Sequence, residues 1–198
     1  MRPFERLPAP DFLAENWERW SLEYEVRKTA DSGFQFSWHQ PGYRHINRQI
    51  KPLLQTQTDE HCSYCDFYPA RQGDDTIEHF KPKGQKAFYR FAYQWENLYF
   101  CCWHCQKAKG EQFDDALLRP DEPTYSFEKY FIFKFSTGEI SVNPVASEVD
   151  KHRAEVTIKL LKMNEEGQML TRKREWQAYD KRAHGDSLGD YAFRFLFE

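Results

Sequence analysis

The chain has 198 residues, 40% of them apolar, 30% charged and 17% aromatic, which excludes disordered and collagen-like chains and suits one compact unit with its own core. No stretch reaches the roughly 20 apolar residues that a bilayer helix requires, and the opening MRPFERLPAP lacks the apolar centre of a signal peptide, so a cytoplasmic protein without membrane contact is expected. With 28 Lys+Arg against 31 Asp+Glu the net charge is −3, and a polyanion would need a local basic patch rather than a global field.

In chain order, Leu13, Trp17, Trp20 and Tyr24 recur at helical spacing and predict an amphipathic helix over 11–28. Tyr43, Ile46, Ile50 and Leu53 predict a second, which Pro52 should kink or end. Residues 75–80 read as a short strand halted by Pro82, and 97–101 as a second strand leading into a helix over 103–109 that Gly110 stops. Phe131, Phe133 and Phe135, followed by Ile140 and Val142 beyond a Ser-Thr-Gly-Glu turn, alternate as a hairpin does. Ser147 with Asp150 resembles a capping box, and Val149, Val156, Leu160 and Met163 extend a helix over 148–164. A last helix over 168–183 carries Arg172, Lys173, Arg174, Lys181 and Arg182, a pattern usual for a solvated face, before Phe193, Phe195 and Phe197 alternate to the end. The expected class is α+β in one domain over 1–198, with a helical part at 1–58, a cysteine-bearing core at 59–115, and a hairpin with helices at 116–198.

Four of the five cysteines form two Cys-x-x-Cys pairs, Cys62/Cys65 and Cys102/Cys105. In a reducing compartment such pairs favour a metal over disulfides. Each knuckle can place both sulfurs about 2.3 Å from one tetrahedral zinc, and four thiolates leave that ion no open position, so it would hold the fold rather than activate water. Two separate pairs of buried thiols are the alternative. Cys101 reads as packing, and His104 has no place in a completed tetrahedron.

Between and after the knuckles lie Ile77-Glu78-His79-Phe80-Lys81-Pro82-Lys83, Trp95-Glu96-Asn97-Leu98 and Cys102-Trp103-His104-Cys105-Gln106-Lys107-Ala108-Lys109-Gly110. Their order and spacing resemble the HNH nuclease family with its ββα-metal fold. Within it they are most similar to the PtuB-like HNH subunit of Septu and retron-associated antiphage systems, as are the opening Met-Arg-Pro-Phe and the closing Lys-Ala-Lys-Gly with Phe113. The resemblance is carried by residues 60–113, and weakly by the N-terminal stretch. It implies a zinc-stapled ββα-metal core flanked by N- and C-terminal helices and a hairpin. It also implies His79 as general base, Asn97 as the residue orienting it, and Glu78 with Gln106 as ligands of a catalytic magnesium or other divalent ion. The family commonly has asparagine or histidine where Gln106 stands; glutamine offers the same amide oxygen one methylene further out.

Lys81, Lys83, Lys107 and Lys109 surround this constellation and are the candidate phosphate contacts, which would neutralise charge without reading bases. DNA and RNA are equally compatible. No Gly-x-x-x-x-Gly-Lys-[Ser/Thr] loop is present; by resemblance, an ABC/SMC-like, PtuA-like ATPase would be the partner, with a retron reverse transcriptase and its RNA–DNA product in some systems. The aromatic tail and the tryptophan-bearing first helix are the candidate docking surfaces, with internal packing as the alternative for both. The rival reading of the whole is a catalytically silent, zinc-stabilised subunit that binds nucleic acid or a partner.

Overall fold

The computed structural model describes residues 1–40, 45–69, 73–182 and 185–198; Tyr43 of the predicted second helix and Ala183 at the predicted end of the last one lie outside them. Helices α1 (Asp11–Ala14), α2 (Trp17–Ala30) and α3 (Asn47–Gln57) precede an antiparallel ribbon of β1 (Asp75–His79) and β2 (Leu98–Cys102), which runs into α4 (Trp103–Lys109). After α5 (Phe127–Tyr130) come a second ribbon, β3 (Phe131–Lys134) with β4 (Glu139–Val142), and helices α6 (Glu148–Leu160) and α7 (Glu166–Asp180). This is an α+β arrangement with two small antiparallel sheets. No helix among the described residues is long and apolar enough to cross a membrane.

The β1–β2 ribbon divides two apolar cores, and β2 is buried on both faces. Leu98 and Phe100 join Ile77 in a core with Leu13, Trp20, Tyr24, Ile46 and Ile50, whereas Tyr99, Cys101 and Cys102 face a core built from Tyr64, Tyr130, Phe131, Ile140, Leu161 and Phe193. The period of two along a strand gives this division from Leu98 to Cys101; Cys102, at the junction with α4, departs from it and stays with the cysteine side. The ribbon is thus wedged between the N-terminal helices and the C-terminal hairpin and helices.

Several predicted boundaries move for identifiable reasons. The single helix expected over 11–28 breaks at Asn16, whose side-chain amide donates to the Phe12 carbonyl at 2.9 Å and competes with the helical ladder. Pro52 does not end α3, which continues to Gln57. The carbonyl that Pro52 leaves without its usual donor belongs to exposed Arg48, and burial of Ile50 and Leu54 holds the helix together; Leu53, counted on the apolar face, is instead exposed. Helix α6 stops at Leu160 because Lys162 turns left-handed (φ +47°) and the Met163 and Lys162 amides close back on Ile158 and Lys159, a Schellman ending that folds Met163 into the core. Its first predicted apolar residue, Val149, is exposed, and Ala154, Thr157 and Leu161 form the buried stripe. Ser147 does cap it, accepting from the Asp150 amide.

The C-terminal phenylalanines form no strand. Phe193 sits at φ +56° ahead of a 3₁₀ turn, with Phe193 and Phe195 buried, and Arg194 between them is anchored on Asp66 (Nη2–Oδ1 2.7 Å) and the Thr58 carbonyl. Trp20 is also buried, whereas Trp17 and Phe197 of the same two candidate docking surfaces are half-buried. Gly138 in the β3–β4 turn has φ +80°, and a Cβ there would collide with the Met169 carbonyl, so the close approach of α7 requires glycine.

The N-terminal segment is fastened to β2 by a buried polar knot. Arg6 donates to Asp121 (2.6 Å) and to the Trp95 and Leu98 carbonyls, and Asp121 also accepts from the Tyr99 hydroxyl (2.6 Å) and Arg119 (3.0 Å). Burial alone would raise the Asp121 carboxyl, but the Arg6 charge and the hydrogen bonds from Tyr99, Arg6 and Arg119 outweigh it and hold the group below the usual aspartate value. A depressed carboxyl stabilises the fold above the unfolded-state value of about 3.9 and loses that contribution as pH falls through the folded value. Asp121→Asn should therefore cost about 3 kcal/mol at neutral pH. It should also flatten the acid side of the stability profile measured by urea melts across pH; an unchanged acid slope would show that the knot contributes nothing.

Candidate active site beside a four-cysteine centre

The Cys62, Cys65, Cys102 and Cys105 sulfurs all lie within 4.8 Å of one another and are buried. A tetrahedral zinc with bonds of about 2.3 Å spaces its sulfurs by ~3.8 Å, and the Cys65–Cys102 separation is 3.6 Å. The first knuckle is shaped by backbone bonds from Cys62 to Phe67 and from Asp66 to Cys62, with Asp66 left-handed (φ +59°); the second is the junction of β2 and α4. Hydrogen bonds among the crowded thiols, then burial, push Cys65 and Cys105 well above the ordinary thiol value. Cys62 goes the other way: burial would raise it, but hydrogen bonds from the neighbouring cysteines hold it well below that value. Four buried sulfurs this close to one another could hold a metal such as zinc.

Arg172 supports that reading and corrects another. Predicted as part of a solvated basic run, it is only 1% exposed, donating to the Gly138 carbonyl (2.8 Å) and to Asn164 Oδ1 (3.1 Å) and forming no ion pair among the described residues. Burial pulls its guanidinium down to about 10, against the opposing influence of the Cys65 and Cys105 sulfurs. Four thiolates around a divalent ion carry two net negative charges, and a buried guanidinium beside them offsets part of that charge.

On the ribbon above this centre, Glu78, His79 and Gln106 line one cleft of about 180 Å³ together with Pro82, Lys83, Gly110 and Glu111. Glu78 and His79 are neighbours on a strand and would normally project to opposite faces; β1 ends at His79, so the cleft at its tip receives both. His79 is 3% exposed. Its Nε2 lies 2.9 Å from the Ala92 carbonyl, which can only accept, so Nε2 carries the proton, and Nδ1, itself buried, has no hydrogen-bond partner among the described residues. Phe36 and Trp38 flank the ring, the latter stacked at 5.6 Å. Burial, followed by the charges of Lys83 and Lys109, keeps His79 well below the ordinary histidine value and therefore neutral at neutral pH.

Asn97 makes no hydrogen bond to the His79 ring. Its Oδ1 accepts from the Lys81 amide (2.7 Å), and its Nδ2 donates to the Lys81 and Phe91 carbonyls (3.0 and 2.9 Å). It thereby ties the chain leaving β1 to the turn that presents the Ala92 carbonyl to His79. Gln106, on α4, donates to Thr76 Oγ1 at 3.0 Å.

Lys109 departs most from expectation. Rather than offering charge to phosphate, it is fully buried, with Nζ 2.8 Å from Glu78 Oε1 and 2.7 Å from the His79 carbonyl. The i,i+3 spacing from Gln106 was the available signal, because it puts Lys109 on the helix face that meets β1. Glu78 accordingly has two opposed influences: burial raises its carboxyl, and Lys109 lowers it, with burial prevailing. Lys81 and Lys83 are half-buried and Lys107 is exposed, so these three stay at the surface. Glu111, which accepts from the Gly84 amide (3.0 Å), is a cleft residue that the motifs did not single out. Comparison of the chain with protein-family models and with curated proteins finds no match.

Proposed function

We propose that the chain is a metal-dependent nuclease of the HNH type, its fold stapled by zinc at the four cysteines, that hydrolyses nucleic-acid phosphodiesters. The observation that carries this reading is a neutral imidazole lining one cleft with Glu78 and Gln106, one nitrogen capped by a carbonyl and the other buried without a partner among the described residues. The ribbon-then-helix order of β1, β2 and α4 next to the cysteine centre supports it.

The chemistry follows from these atoms. With the ring turned so that its buried Nδ1 reaches the cleft, His79 takes a proton from water as the water oxygen attacks phosphorus and the bond to the sugar oxygen breaks, that oxygen leaving to be protonated by solvent. Its Nε2–H bond to Ala92 fixes the tautomer, and Asn97 fixes the turn that supplies Ala92. Lys81 and Lys83 counter charge on the phosphate. The cleft's donors are the carboxylates of Glu78 and Glu111 and the carboxamide of Gln106, a hard oxygen set that fits magnesium. Lys109 holds Glu78 Oε1 and leaves Oε2 for a cation. A bound magnesium would supply positive charge to the developing phosphorane.

By the same resemblance, the chain acts in the cytoplasm as the nuclease subunit of an antiphage complex. Its partner would be an ABC/SMC-like ATPase, joined in some systems by a retron reverse transcriptase and its RNA–DNA product.

The Lys109–Glu78 pair also favours a second reading. A carboxylate already neutralised by a buried ammonium needs no metal, which suits a silent subunit that binds nucleic acid or a partner. Magnesium titrations of cleavage, with labelled DNA and RNA strands and any required partner, separate the two. Under the nuclease reading, Gln106→Ala raises the magnesium requirement at least about tenfold, since a direct ligand weighs no less than the outer partners whose loss costs about 10–100-fold. Absence of cleavage and of calorimetric magnesium binding in the zinc-loaded protein would establish the silent reading.

A further inference from the structure

We infer that the aromatic cavity behind Trp38 is a subsite for a single unstacked nucleobase next to the cleaved phosphate; this rests on the nuclease reading above. The cavity, about 290 Å³, has Trp20, Trp38, His39 and Tyr93 among its lining residues, with the exposed side chains of Glu23 and Arg27. Its size is at the lower limit of small-molecule sites, which run from about 300 to 1,000 Å³, and suits one base or nucleoside. Trp20 and His39 are stacked at 4.5 Å, and Trp20 and Trp38 each meet Tyr93 at 5.8 Å.

Two features distinguish this cavity from ordinary aromatic packing. The first is an unused donor. Trp20 is 5% exposed, and its buried indole Nε1–H has no hydrogen-bond partner among the described residues. A buried donor left unpaired is costly in a folded protein, and a small rotation of the indole toward the cavity it lines would present that donor to an acceptor on a ligand ring. Glu23 suits the amino or imino edge of a base, and Arg27 a phosphate oxygen.

The second is position. Trp38 lines the cavity and also stacks on His79, with 5.6 Å between ring centroids and 23° between planes. A stacked strand advances about 3.4 Å per nucleotide along its axis and an unstacked nucleotide reaches further, so a cavity one ring away from the general base is within reach of the nucleotide flanking the cleaved bond. That base must leave its stack to enter, as bases do in enzymes that act on extruded nucleotides. The enzyme then favours unpaired strands over a duplex of the same sequence. Stacking on aromatic side chains tolerates every base, so Glu23 is the element that imposes preference.

The test is ¹H–¹⁵N NMR of the full-length zinc-loaded protein. The six tryptophans give separate indole N–H signals, and the one missing from Trp20→Phe belongs to Trp20. Adenosine, guanosine, cytidine and uridine 5′-monophosphates are titrated in turn, with ribose 5-phosphate as the baseless control. The Trp20 signal is expected to move with nucleotides and not with the control, and Glu23→Gln to weaken binding of the preferred nucleotide at least about fivefold. Should Trp20→Phe fail to fold, the exposed Glu23→Gln carries the comparison through the nucleotide-responsive indole signal. A Trp20 signal unmoved by all four nucleotides, or moved equally by ribose 5-phosphate, overturns the subsite. His79-dependent cleavage without nucleotide binding refutes the subsite alone. Base-dependent binding in a protein that cleaves nothing refutes the nuclease reading and leaves a nucleotide-binding cavity.

Discussion

Stripping the metal from the four-cysteine centre, or replacing Cys65 or Cys105 by serine, should unfold the ribbon and the C-terminal half of the protein together. Structural zinc at such sites is worth about 10–16 kcal/mol in small zinc modules, and whole domains are stable by only about 5–15 kcal/mol. The position of the centre gives the effect its reach. Cys62 and Cys65 belong to a turn whose Asp66 accepts from Arg194 and whose Ser63 amide pairs with Phe100 in β2; Cys102 and Cys105 join β2 to α4. Without the ion, four sulfurs remain crowded in a core that also contains the Arg172 guanidinium. Thermal melts and near-ultraviolet circular dichroism before and after chelation, with metal content measured in parallel, read the outcome. Cys101→Ala, which removes a buried sulfur outside the four-cysteine group, should cost only about 1–2 kcal/mol. If the metal-free protein melts where the loaded one does, the thiols are ordinary core residues.

How much of this was legible beforehand depends on whether the signal was local. The knuckle spacing, the strand ending before Pro82, the Gly110 helix stop and the Ser147 cap each depend on a few neighbouring residues, and each corresponds to an observed feature. The errors arise where distant chain segments decide. Arg172 and Lys109 look like solvated charges in one dimension, yet one is drawn in beside the cysteine centre and the other beneath Glu78. The alternating phenylalanines at the end suggest a strand edge, but Arg194 ties that segment to the first knuckle and turns both flanking rings inward. Phe36 and Trp38, which wall off His79, belong to the run Phe34-Gln35-Phe36-Ser37-Trp38, which alternates every second residue as a strand would but forms none; only the folded arrangement brings both rings to His79.

Replacing His79 by glutamine should abolish cleavage while leaving the protein folded, and the choice of residue matters. Alanine would open a cavity between Phe36 and Trp38 and would confound chemistry with packing. Glutamine fills similar space and can still donate to the Ala92 carbonyl, but its amide oxygen is not a base that can accept a proton from water. Loss of a positioned general base lowers rates by about 10²–10⁴-fold, and because binding is not the base's task, kcat should fall with KM little changed. Asn97→Asp should follow with a smaller loss. The carboxylate keeps the Lys81 amide contact and forfeits both Nδ2 donations, to the Lys81 and Phe91 carbonyls, loosening the turn that holds Ala92 against the imidazole. The imidazole NMR signals of His79 should shift in that variant if Asn97 acts by positioning, since a merely structural asparagine would lower stability without disturbing the ring. Equal cleavage by His79→Gln and the unaltered protein, in the presence of magnesium and any required partner, would place the chemistry elsewhere.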